Sequence, residues 1–312
     1  MRRYTTWQGL KADDRGAVVA IGNFDGVHLG HQSVLTQAQE IALRSQAPSG
    51  VVTFEPHPRS YFAPAAKAFR IMNPATKAHR LQKLGIDRLY ELPFDGALAA
   101  LDPQAFATEV LHKGLGISHA IVGADFCFGK DRAGTAETLV ALGQELGFGV
   151  SIADLVRLSE LEVSSTAIRA ALAEGRPRDA ARMLGHWHRI DGQVLGGDRR
   201  GREIGYPTAN MSIQGLHAPK FGIYAVLVDV LTGPHLGSYR GAASIGVRPT
   251  FGENAPNLET FIFDFTGDLY GEELSVAFVD YLREEAKFDG IDALVAQMDR
   301  DCAKARDLLA AL

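Results

Sequence analysis

Short apolar runs in the first half of the chain recur about every 30 residues, which is the length of a βαβ unit. They cover residues 18–21, 51–54, 88–92, 120–122 and 150–153. Helical patterns lie between and after them, at 32–45, 75–84, 103–113, 136–146 and 165–173. Strands that are apolar throughout are typical of a parallel sheet covered by helices on both faces. We therefore predict a doubly wound α/β domain, whose ligands bind at the carboxyl ends of its strands.

The pattern changes near residue 185, where short alternating strands replace the alternation of strands and helices. The predicted strands lie at 192–196, 223–230, 241–247, 259–265 and 274–279. This spacing is typical of an antiparallel barrel or sandwich. A final helix follows, with an apolar face made of Ile291, Leu294, Val295, Met298 and Cys302. We expect two domains, residues 1–185 and 186–312, and the length of 312 residues agrees with that number.

Charge and composition narrow the range of partners. The 32 Lys and Arg residues against 37 Asp and Glu residues give a net charge of −5, which disfavours nucleic acid and membranes as partners. We find no apolar run near the ~20 residues of a transmembrane helix, and two cysteines cannot form a disulfide framework. We therefore expect a cytoplasmic protein. The sequence does not indicate its oligomeric state.

A glycine-rich segment follows the first strand and leads into the first helix. It reads Gly-Asn-Phe-Asp-Gly-Val-His-Leu-Gly-His over residues 22–31, and its glycines allow a tight turn close to a ligand. The helix N-terminus has free N–H groups and a positive dipole end, which suit phosphate. His28 and His31 are expected on one face of the first turn, where imidazoles can donate hydrogen bonds to phosphate oxygens. The alternatives are a metal site, for which no matching Cys or His cluster is evident, and a solvated helix start.

Further motifs follow the second, fourth and fifth predicted strands, so all of them fall at one edge of the sheet. They are TFEPHP at 53–58, VGADFCFG at 122–129 and VSSTAIR at 163–169. The hydroxyls of Ser164, Ser165 and Thr166 can cap a helix or contact phosphate, and Arg169 lies one turn further on. Residues 123–130 are not a Walker A sequence, because Lys130 is followed by Asp131.

In the second domain, a segment dense in glycine and charge ends in Pro207-Thr208-Ala209-Asn210. The side chains of Thr208 and Asn210 project to the same side of an extended strand. Their oxygen atoms suit Mg²⁺ that is held together with ATP phosphates. A basic hairpin loop is the alternative interpretation of this segment.

The motifs resemble, in their order along nearly the whole chain, those of the prokaryotic bifunctional riboflavin kinase/FAD synthetase family. Residues 22–31 are similar to the His-x-Gly-His signature of nucleotidylyltransferases, and residues 196–210 are similar to the flavokinase signature. The resemblance implies a Rossmann-like nucleotidylyltransferase domain, then an antiparallel β-barrel kinase domain with a C-terminal helix. The kinase domain would convert riboflavin and ATP to FMN and ADP. The first domain would convert FMN and a second ATP to FAD and pyrophosphate, with Mg²⁺ as the cofactor.

The resemblance also implies roles for individual residues. In the first domain it implies that the catalytic residues are His28, His31 and Arg169, and that the ATP contacts are Gly22, Asn23, Phe24, Asp25, Gly26, Gly30, Ser164, Ser165 and Thr166. In the second domain it implies ATP contacts at Gly201, Arg202 and Pro207, Mg²⁺ ligands at Thr208 and Asn210, and a general base at Glu259. The implied flavin contacts are Phe62, Asp125, Phe128 and Arg283. Core packing is the alternative for the two phenylalanines, and an exposed strand end is the alternative for Glu259.

Two positions depart from the family pattern. Ser244 stands where many relatives carry Asn, and residues 186–188 read His-Trp-His where Pro-Tyr is more usual.

Three alternatives to a chain with both activities remain. The first is an enzyme with only one of the two activities, and the second is a nucleotidylyltransferase for another substrate whose β domain only binds flavin. The third is a non-catalytic flavin-binding regulator. The presence of His28 and His31 together with Thr208, Asn210 and Glu259 argues against the first and the third.

Overall fold

The computed structural model describes residues 1–153, 163–196, 204–247 and 256–312. Packing divides the chain into two compact units. The first unit comprises Met1–Lys67 and Lys77–Leu161, and the second comprises Ala68–Thr76 and Glu162–Leu312. The division differs from two contiguous domains, because the short segment 68–76 belongs by its contacts to the second unit.

A six-stranded parallel sheet forms the centre of the first unit. Its strands are β1 (Arg2–Tyr4), β2 (Val18–Ile21), β3 (Ser49–Glu55), β4 (Arg88–Pro93), β5 (His119–Gly123) and β8 (Gly149–Ala153). Their order in the sheet is β1-β4-β3-β2-β5-β8, and a short hairpin of β6 (Cys127–Phe128) and β7 (Gly134–Thr135) follows β5. The predicted doubly wound sheet is confirmed, and β1 is an edge strand that the apolar runs did not predict.

Helices connect these strands. They are α1 (Leu29–Ser45), α2 (Pro58–Phe62), α3 (Pro74–Lys83), α4 (Gly96–Ala99), α5 (Pro103–Ala105) and α6 (Ala136–Leu146). A π-helical segment, Phe106–Leu115, continues α5, so the single helix predicted at 103–113 has two parts of different geometry. Short 3₁₀ turns lie at Ala12–Asp14 and Lys130–Arg132.

The strand order reverses between β2 and β5, which are neighbours at the centre of the sheet. β3 and β4 extend the sheet on one side of this pair, and β8 extends it on the other. All four residues of β2 are buried, as expected of a strand that is covered on both faces. In sheets of this kind the crevice for a ligand lies beyond the carboxyl ends of the strands at the reversal point. That rule directs attention to residues 22–31, which follow β2, and to residues 124–129, which follow β5.

The second unit contains a six-stranded antiparallel barrel. Its strands are β9 (Arg189–Gln193), β10 (Thr208–Ser212), β11 (Gly222–Val230), β12 (Gly237–Val247), β13 (Pro256–Ile262) and β14 (Glu273–Arg283). They are ordered β10-β13-β12-β11-β14-β9, and a bridge between Leu195 and Asn210 joins the two ends of the sheet. The N–H of Leu195 donates to the Asn210 carbonyl at 2.8 Å, and this bond closes the barrel. Of the two predicted architectures, barrel and sandwich, the structure has the barrel.

In the described parts of the second unit, three helices accompany the barrel: α7 (Ser165–Ala173), α8 (Pro177–Leu184) and α9 (Ile291–Ala310). Apolar residues fill the barrel interior, among them Met211, Val226 and Leu258. A separate apolar cluster lies on the outer face of the barrel, where α9 packs through Ala305 and Leu309. By their contacts α7 and α8 belong to this second unit, whereas the sequence pattern assigns them to the first domain.

The segment 68–76 is bonded to the rest of the second unit by its backbone and side chains. The Arg70 carbonyl accepts from the His217 N–H at 2.8 Å, and the Asn73 amide donates to the Asp191 carbonyl at 2.7 Å. The Asp191 N–H in turn donates to the Thr76 hydroxyl at 3.2 Å. No helix in the described parts of the chain is long and apolar enough to span a membrane.

Two candidate active sites

The loop that follows β2 has an unusual backbone. Phe24 and Val27 adopt left-handed conformations, with φ of 49° and 43°, and Gly26 lies between them with φ of 88°. A left-handed conformation costs a non-glycine residue roughly 1–3 kcal/mol, and the cost is borne only where surrounding contacts demand it. Phe24 and Val27 are both buried, with 2% and 0% exposure. The loop is thus anchored by apolar side chains while its backbone takes an irregular path to the start of α1.

The structure brings His28 and His31 together at the start of α1. His28 is the N-cap, and its Nδ1 atom accepts a hydrogen bond from the His31 N–H at 3.3 Å. The two rings stack with their centroids 3.6 Å apart and their planes 15° apart. Gly30 makes room for this stack, because a Cβ atom there would lie 3.2 Å from the His28 ring. Two imidazoles therefore stand side by side at a helix N-terminus, which is a favourable place for anions.

The electrostatic environment keeps the His31 ring neutral. Burial is the main cause that holds the pKa of His31 well below its usual 6.5, and the nearby charges of His28 and Lys77 lower it further. The Nδ1 atom of His31 is buried and has no hydrogen-bond partner among the described residues. A neutral imidazole carries one N–H donor, so the ring can donate to a phosphate oxygen without first titrating.

Lys77, near the start of α3, is part of this site although sequence reasoning missed it. Its side chain is 2% exposed, and its ammonium group donates to the Asn23 carbonyl at 3.0 Å and to the Thr53 hydroxyl at 3.1 Å. Thr53 lies near the end of β3 and donates to the same carbonyl at 3.3 Å. The ends of β2 and β3 are thereby joined through one buried ammonium group. In the sequence, Lys77 is one lysine of an amphipathic helix, and nothing distinguishes it from a solvated one.

Aromatic residues surround the ends of β3 and β5. Phe62, in α2, is 69% exposed, and its ring lies edge-on to Phe94 with centroids 5.7 Å apart. Phe128 differs, because it is 7% exposed and packs in the core of the first unit, stacked on Phe126 at 5.5 Å. The packing thus supports the core interpretation of Phe128, while the Phe62 side chain is largely exposed. Asp125 is exposed in the same loop as Phe128.

The Ser-Ser-Thr-x-x-Arg motif lies in the second unit. Ser164 caps α7, because its hydroxyl accepts from the Ala167 N–H at 3.1 Å. Thr166 is exposed. Arg169 is held by the segment 68–76, where its Nε donates to the Phe69 carbonyl at 2.6 Å and its guanidinium lies 5.5 Å from the Phe69 ring. The capping role is therefore visible, and contact of Ser164, Ser165, Thr166 or Arg169 with phosphate stays a prediction.

In the second unit, strand register aligns the polar side chains. Asn210 of β10 pairs with Glu259 of β13, which in turn pairs with Ser244 of β12. Directly paired residues point to the same face of a sheet, and their Cβ atoms are typically about 5 Å apart. The intervening residues, such as Ala209 and Leu258, line the barrel interior, so this row lies on the outer face. The Asn257 amide donates to the Asn210 Oδ1 at 3.0 Å and thereby orients the Asn210 side chain.

A cavity of about 180 Å³ lies between this outer face and α9. Its lining includes Thr208, Ser244, Glu259, Arg283 and Cys302. The donor set of Thr208, Asn210 and Glu259 consists of oxygen atoms, which suits Mg²⁺ and is unlike the nitrogen and sulfur ligands of zinc sites. Burial raises the pKa of the Cys302 thiol to about 11, so this cysteine is a protonated packing residue at neutral pH.

Two polar contacts connect α9 to the barrel at this cavity. The guanidinium of Arg283 bonds the Asp301 carboxylate in a forked arrangement, with its shortest N–O distance at 2.7 Å. The Tyr206 hydroxyl donates to Asp299 on the preceding part of the same helix. Burial and the Asp299 carboxylate raise the pKa of Tyr206 above its usual value, which keeps this donor protonated. Asp299 and Asp301 were not predicted, since no local motif in the sequence marks them.

Comparison with known proteins identifies the modules. The family model described as FAD synthetase matches residues 10–167, and the one described as riboflavin kinase matches residues 184–309. A bifunctional riboflavin kinase/FMN adenylyltransferase of Pseudomonas fluorescens is 42% identical over 302 residues, which are 96% of each chain. The protein of the same description from Escherichia coli K12 is 37% identical, over 95% of this chain and 94% of its own. The chain belongs to the bifunctional riboflavin kinase/FAD synthetase family.

A solved structure shares this architecture over the same length. The crystal structure described as a macrolide-efflux protein from Streptococcus pneumoniae is 33% identical, covers 96% of both chains and has a TM-score of 0.80. The two family matches fall on the two kinds of site: the FAD synthetase match contains the loop 22–31, and the riboflavin kinase match contains the row of Asn210, Glu259 and Ser244.

Some residues that the family resemblance implies lie outside the described parts of the chain. Gly201 and Arg202 are among them. Pro207 is described and exposed, and it directly precedes β10. Gly205 has a φ of 84°, so a glycine is favoured where the chain turns toward the Pro-Thr-x-Asn element of this family.

Proposed function

We propose that this chain converts riboflavin to FMN and FMN to FAD, with ATP as the co-substrate of both reactions. The observation that supports it most is that one chain carries two differently built clusters of polar groups whose chemistry suits transfer of phosphate groups. The first is the stacked His28–His31 pair at the N-terminus of α1. The second is the row of Asn210, Glu259 and Ser244 beside a cavity under α9. A flavin-binding regulator would need neither arrangement.

In the kinase reaction, the riboflavin hydroxyl attacks the γ-phosphorus of ATP and ADP leaves. The hydroxyl must lose its proton as the new P–O bond forms, and we assign the Glu259 carboxylate as the group that accepts it. Thr208 and Asn210 would hold Mg²⁺, which neutralises phosphate charge when it is bound. Because Asn210 pairs directly with Glu259, base and metal ligand are adjacent on one face. Arg283, paired with Asp301, lines the same cavity, and we assign it a contact with the flavin.

In the adenylyl transfer, an oxygen of the FMN phosphate attacks the α-phosphorus of ATP. The new P–O bond forms as the bond to the β-phosphate breaks, and pyrophosphate leaves. The nucleophile is already an anion, so positioning and charge stabilisation suffice. His28, His31 and the first N–H groups of α1 would donate to the phosphates, along a backbone shaped by residues 22–26 and Gly30. Phe62 offers a ring face for the flavin, and Asp125 lies exposed after β5.

The other residues whose roles the family resemblance implies belong to the same proposal. We assign phosphate contacts in the adenylyl transfer to Ser164, Ser165, Thr166 and Arg169, and ATP contacts in the kinase reaction to Gly201, Arg202 and Pro207. Phe128 supports the stack with Phe126 rather than offering a free ring. A cytoplasmic location agrees with the use of ATP in both reactions and with two free cysteines.

The deciding experiment separates the two reactions in the intact chain. Purified protein is incubated with riboflavin, ATP and Mg²⁺, and FMN and FAD are measured by chromatography. We expect both products. The His28→Ala/His31→Ala variant should lose FAD and keep FMN formation. Glu259→Gln should lower FMN formation about 100- to 10,000-fold, the range for a general base, and keep FAD formation from supplied FMN.

A matched control and the contrary outcomes complete this test. His112 is exposed on the π-helical segment, so His112→Ala should leave both activities at the parental level. FMN without FAD from the parent chain would favour the alternative with one live activity. Riboflavin binding without any product would favour a regulator. If the histidine variant and Glu259→Gln each lost both activities while folded, the assignment of sites to units would be wrong.

A further inference from the structure

Lys77 is a buried charged residue that the reactions above do not use. Its ammonium group is within hydrogen-bond distance of two oxygen atoms, the Asn23 carbonyl at 3.0 Å and the Thr53 hydroxyl at 3.1 Å. Only 2% of the residue is exposed. Burial of an ammonium group costs several kcal/mol unless its donors are satisfied, so a helix-surface lysine does not adopt this position by default.

The contact with Asn23 acts on the phosphate loop. The Asn23 carbonyl belongs to the peptide unit that precedes Phe24, the first of the two left-handed residues of the loop. Because a peptide unit is planar, a hydrogen bond that fixes the Asn23 carbonyl also fixes the direction of the Phe24 N–H. Thr53 donates to the same carbonyl, and therefore two donors from different elements converge on this one peptide.

Lys77 also acts on His31 through its charge. Among the described residues, the titratable groups that influence the His31 ring are His28, stacked on it from the N-cap position, and Lys77 from α3. Phosphate groups that approach a histidine favour its protonated form, since opposite charges stabilise each other. A fixed positive charge on the protein side opposes that protonation. His31 would then remain a neutral donor while the triphosphate is bound.

We propose that Lys77 is a positioning residue for adenylyl transfer, which fixes the peptide between Asn23 and Phe24 and acts on the His31 ring through its charge. This role rests on the proposed adenylyl transfer in the first unit. It requires no contact between Lys77 and either substrate, because both effects pass through groups of the loop and of α1.

Three variants of the full chain test this role. Lys77→Gln keeps a hydrogen-bond donor and removes the charge, Lys77→Arg keeps the charge and alters the donor geometry, and Lys83→Gln is the exposed control on the same helix. We expect kcat/KM for FAD formation from FMN to fall about 100-fold in Lys77→Gln, as for other misplacements of reacting groups. Lys83→Gln should match the parent. FMN formation from riboflavin should be unchanged in all three, which reports an intact second unit.

A direct titration separates positioning from general damage. Protein labelled with ¹⁵N-histidine is titrated by NMR, and the His31 resonances are assigned by their loss in His31→Gln. In Lys77→Gln the pKa of His31 should rise toward its ordinary value, because one of the charges that lowers it is gone. The acidic limb of the pH profile of kcat/KM should move up with it. In Lys77→Arg both should stay as in the parent, with a lower kcat/KM.

The possible results test the role of Lys77 separately from the proposed adenylyl transfer. An unchanged His31 titration and acidic limb in Lys77→Gln would overturn the role of Lys77, even if FAD formation fell. Should Lys77→Gln fail to fold, Lys77→Arg decides, since a raised pKa of His31 in that charged variant would contradict the proposal. If the parent chain itself formed no FAD from supplied FMN while folded, the proposed function of the first unit would fail instead.

Discussion

In the first unit the centre of the candidate site is one continuous stretch, residues 22–31, to which Lys77 is bonded from α3. In the second unit the candidate site comes from residues that are up to about 75 positions apart, namely 208, 210, 244, 259 and 283. The first site uses backbone groups at the end of a parallel strand and the start of a helix. The second uses side chains that strand register aligns on the outer face of a barrel. The candidate site of the parallel sheet thus lies at the ends of its strands, whereas the candidate site of the antiparallel barrel lies on the outer face of its strands.

The two kinds of site are therefore sensitive to different changes. Where a site is made by local backbone conformation, its activity should fall when atoms of its loop move by a few tenths of an ångström. Such a displacement should have little effect on the stability of the unit. A site made by distant side chains depends on the contacts that hold those elements together, so stability and activity should fall together. The chain has two tryptophans, Trp7 in the first unit and Trp187 in the second, which allow the stability of each unit to be followed separately.

The largest expected effect comes from breaking the contact of Arg283 with Asp301. The Asp301 side chain is 9% exposed and that of Arg283 is 23% exposed, so Arg283→Met leaves a largely buried carboxylate without its charged partner and with only the Gln297 amide bonded to it among the described contacts. We expect the second unit to lose about 3 kcal/mol of unfolding free energy, the low end for a buried pair, because Arg283 is partly solvated. FMN formation should fall as well. Urea unfolding of a Trp7→Phe background, followed through Trp187, measures the loss.

A double variant provides the control for that prediction. Arg283→Met with Asp301→Leu removes both charges and should recover most of the stability, but not FMN formation. If Arg283→Met alone were as stable as the parent, the contact would not be what holds α9 against the barrel.

A smaller effect, in which activity falls without a loss of stability, is expected for Gly30→Ala in the first unit. The new Cβ atom would lie 3.2 Å from the His28 ring, which must shift by a few tenths of an ångström. We expect kcat/KM for FAD formation to fall about tenfold, since small misplacements of reacting groups are costly. Stability should be equal or higher, because alanine is favoured over glycine in a helix by up to ~1 kcal/mol. A variant that lost stability in step with activity would remove the contrast between the two sites.

The smallest effect is a pH dependence of the first unit. Burial lowers the pKa of both His31 and His119, so below pH 6.5 the unfolded chain binds protons that the folded chain does not. The free energy of unfolding should therefore fall as the pH falls through about 6.5, with His31 contributing about 0.8 kcal/mol at pH 6. Urea unfolding of Trp187→Phe protein at pH 7.5 and pH 6, followed through Trp7, measures it. His31→Gln with His119→Gln should flatten the dependence, and an unflattened profile would assign it to other groups.

The fold of the first half was largely predictable because strands buried on both faces leave continuous apolar runs. β1 was missed because it is a three-residue edge strand with two exposed arginines. β10 was expected only as an extended strand through Thr208 and Asn210, because Thr208–Ser212 contains no apolar run. The π-helical geometry of Phe106–Leu115 has no sequence pattern of its own.

The candidate sites were predictable only where a local motif carries them. Residues 22–31 form such a motif, and the resemblance identified Thr208, Asn210 and Glu259 one by one. The pairing of Asn210 with Glu259 and Ser244 was not predictable, because it depends on a strand order in which β10 lies beside β13. Lys77 and Asp301 were missed for a related reason, since burial of a charged helical residue is decided by elements distant in sequence.

The segment 68–76 has a consequence for dividing this protein into its parts. Nine residues, 68 to 76, leave the first unit, bond to His188, Asp191 and His217 of the second, and return. A gene fragment that begins at residue 162 or 184 would encode the barrel without the segment 68–76. The groups of His188, Asp191 and His217 that bond to this segment would then lose these hydrogen bonds. Exchange of one module between relatives, in the laboratory or in evolution, therefore has to carry part of the other module with it, which favours inheritance of the two activities as one gene.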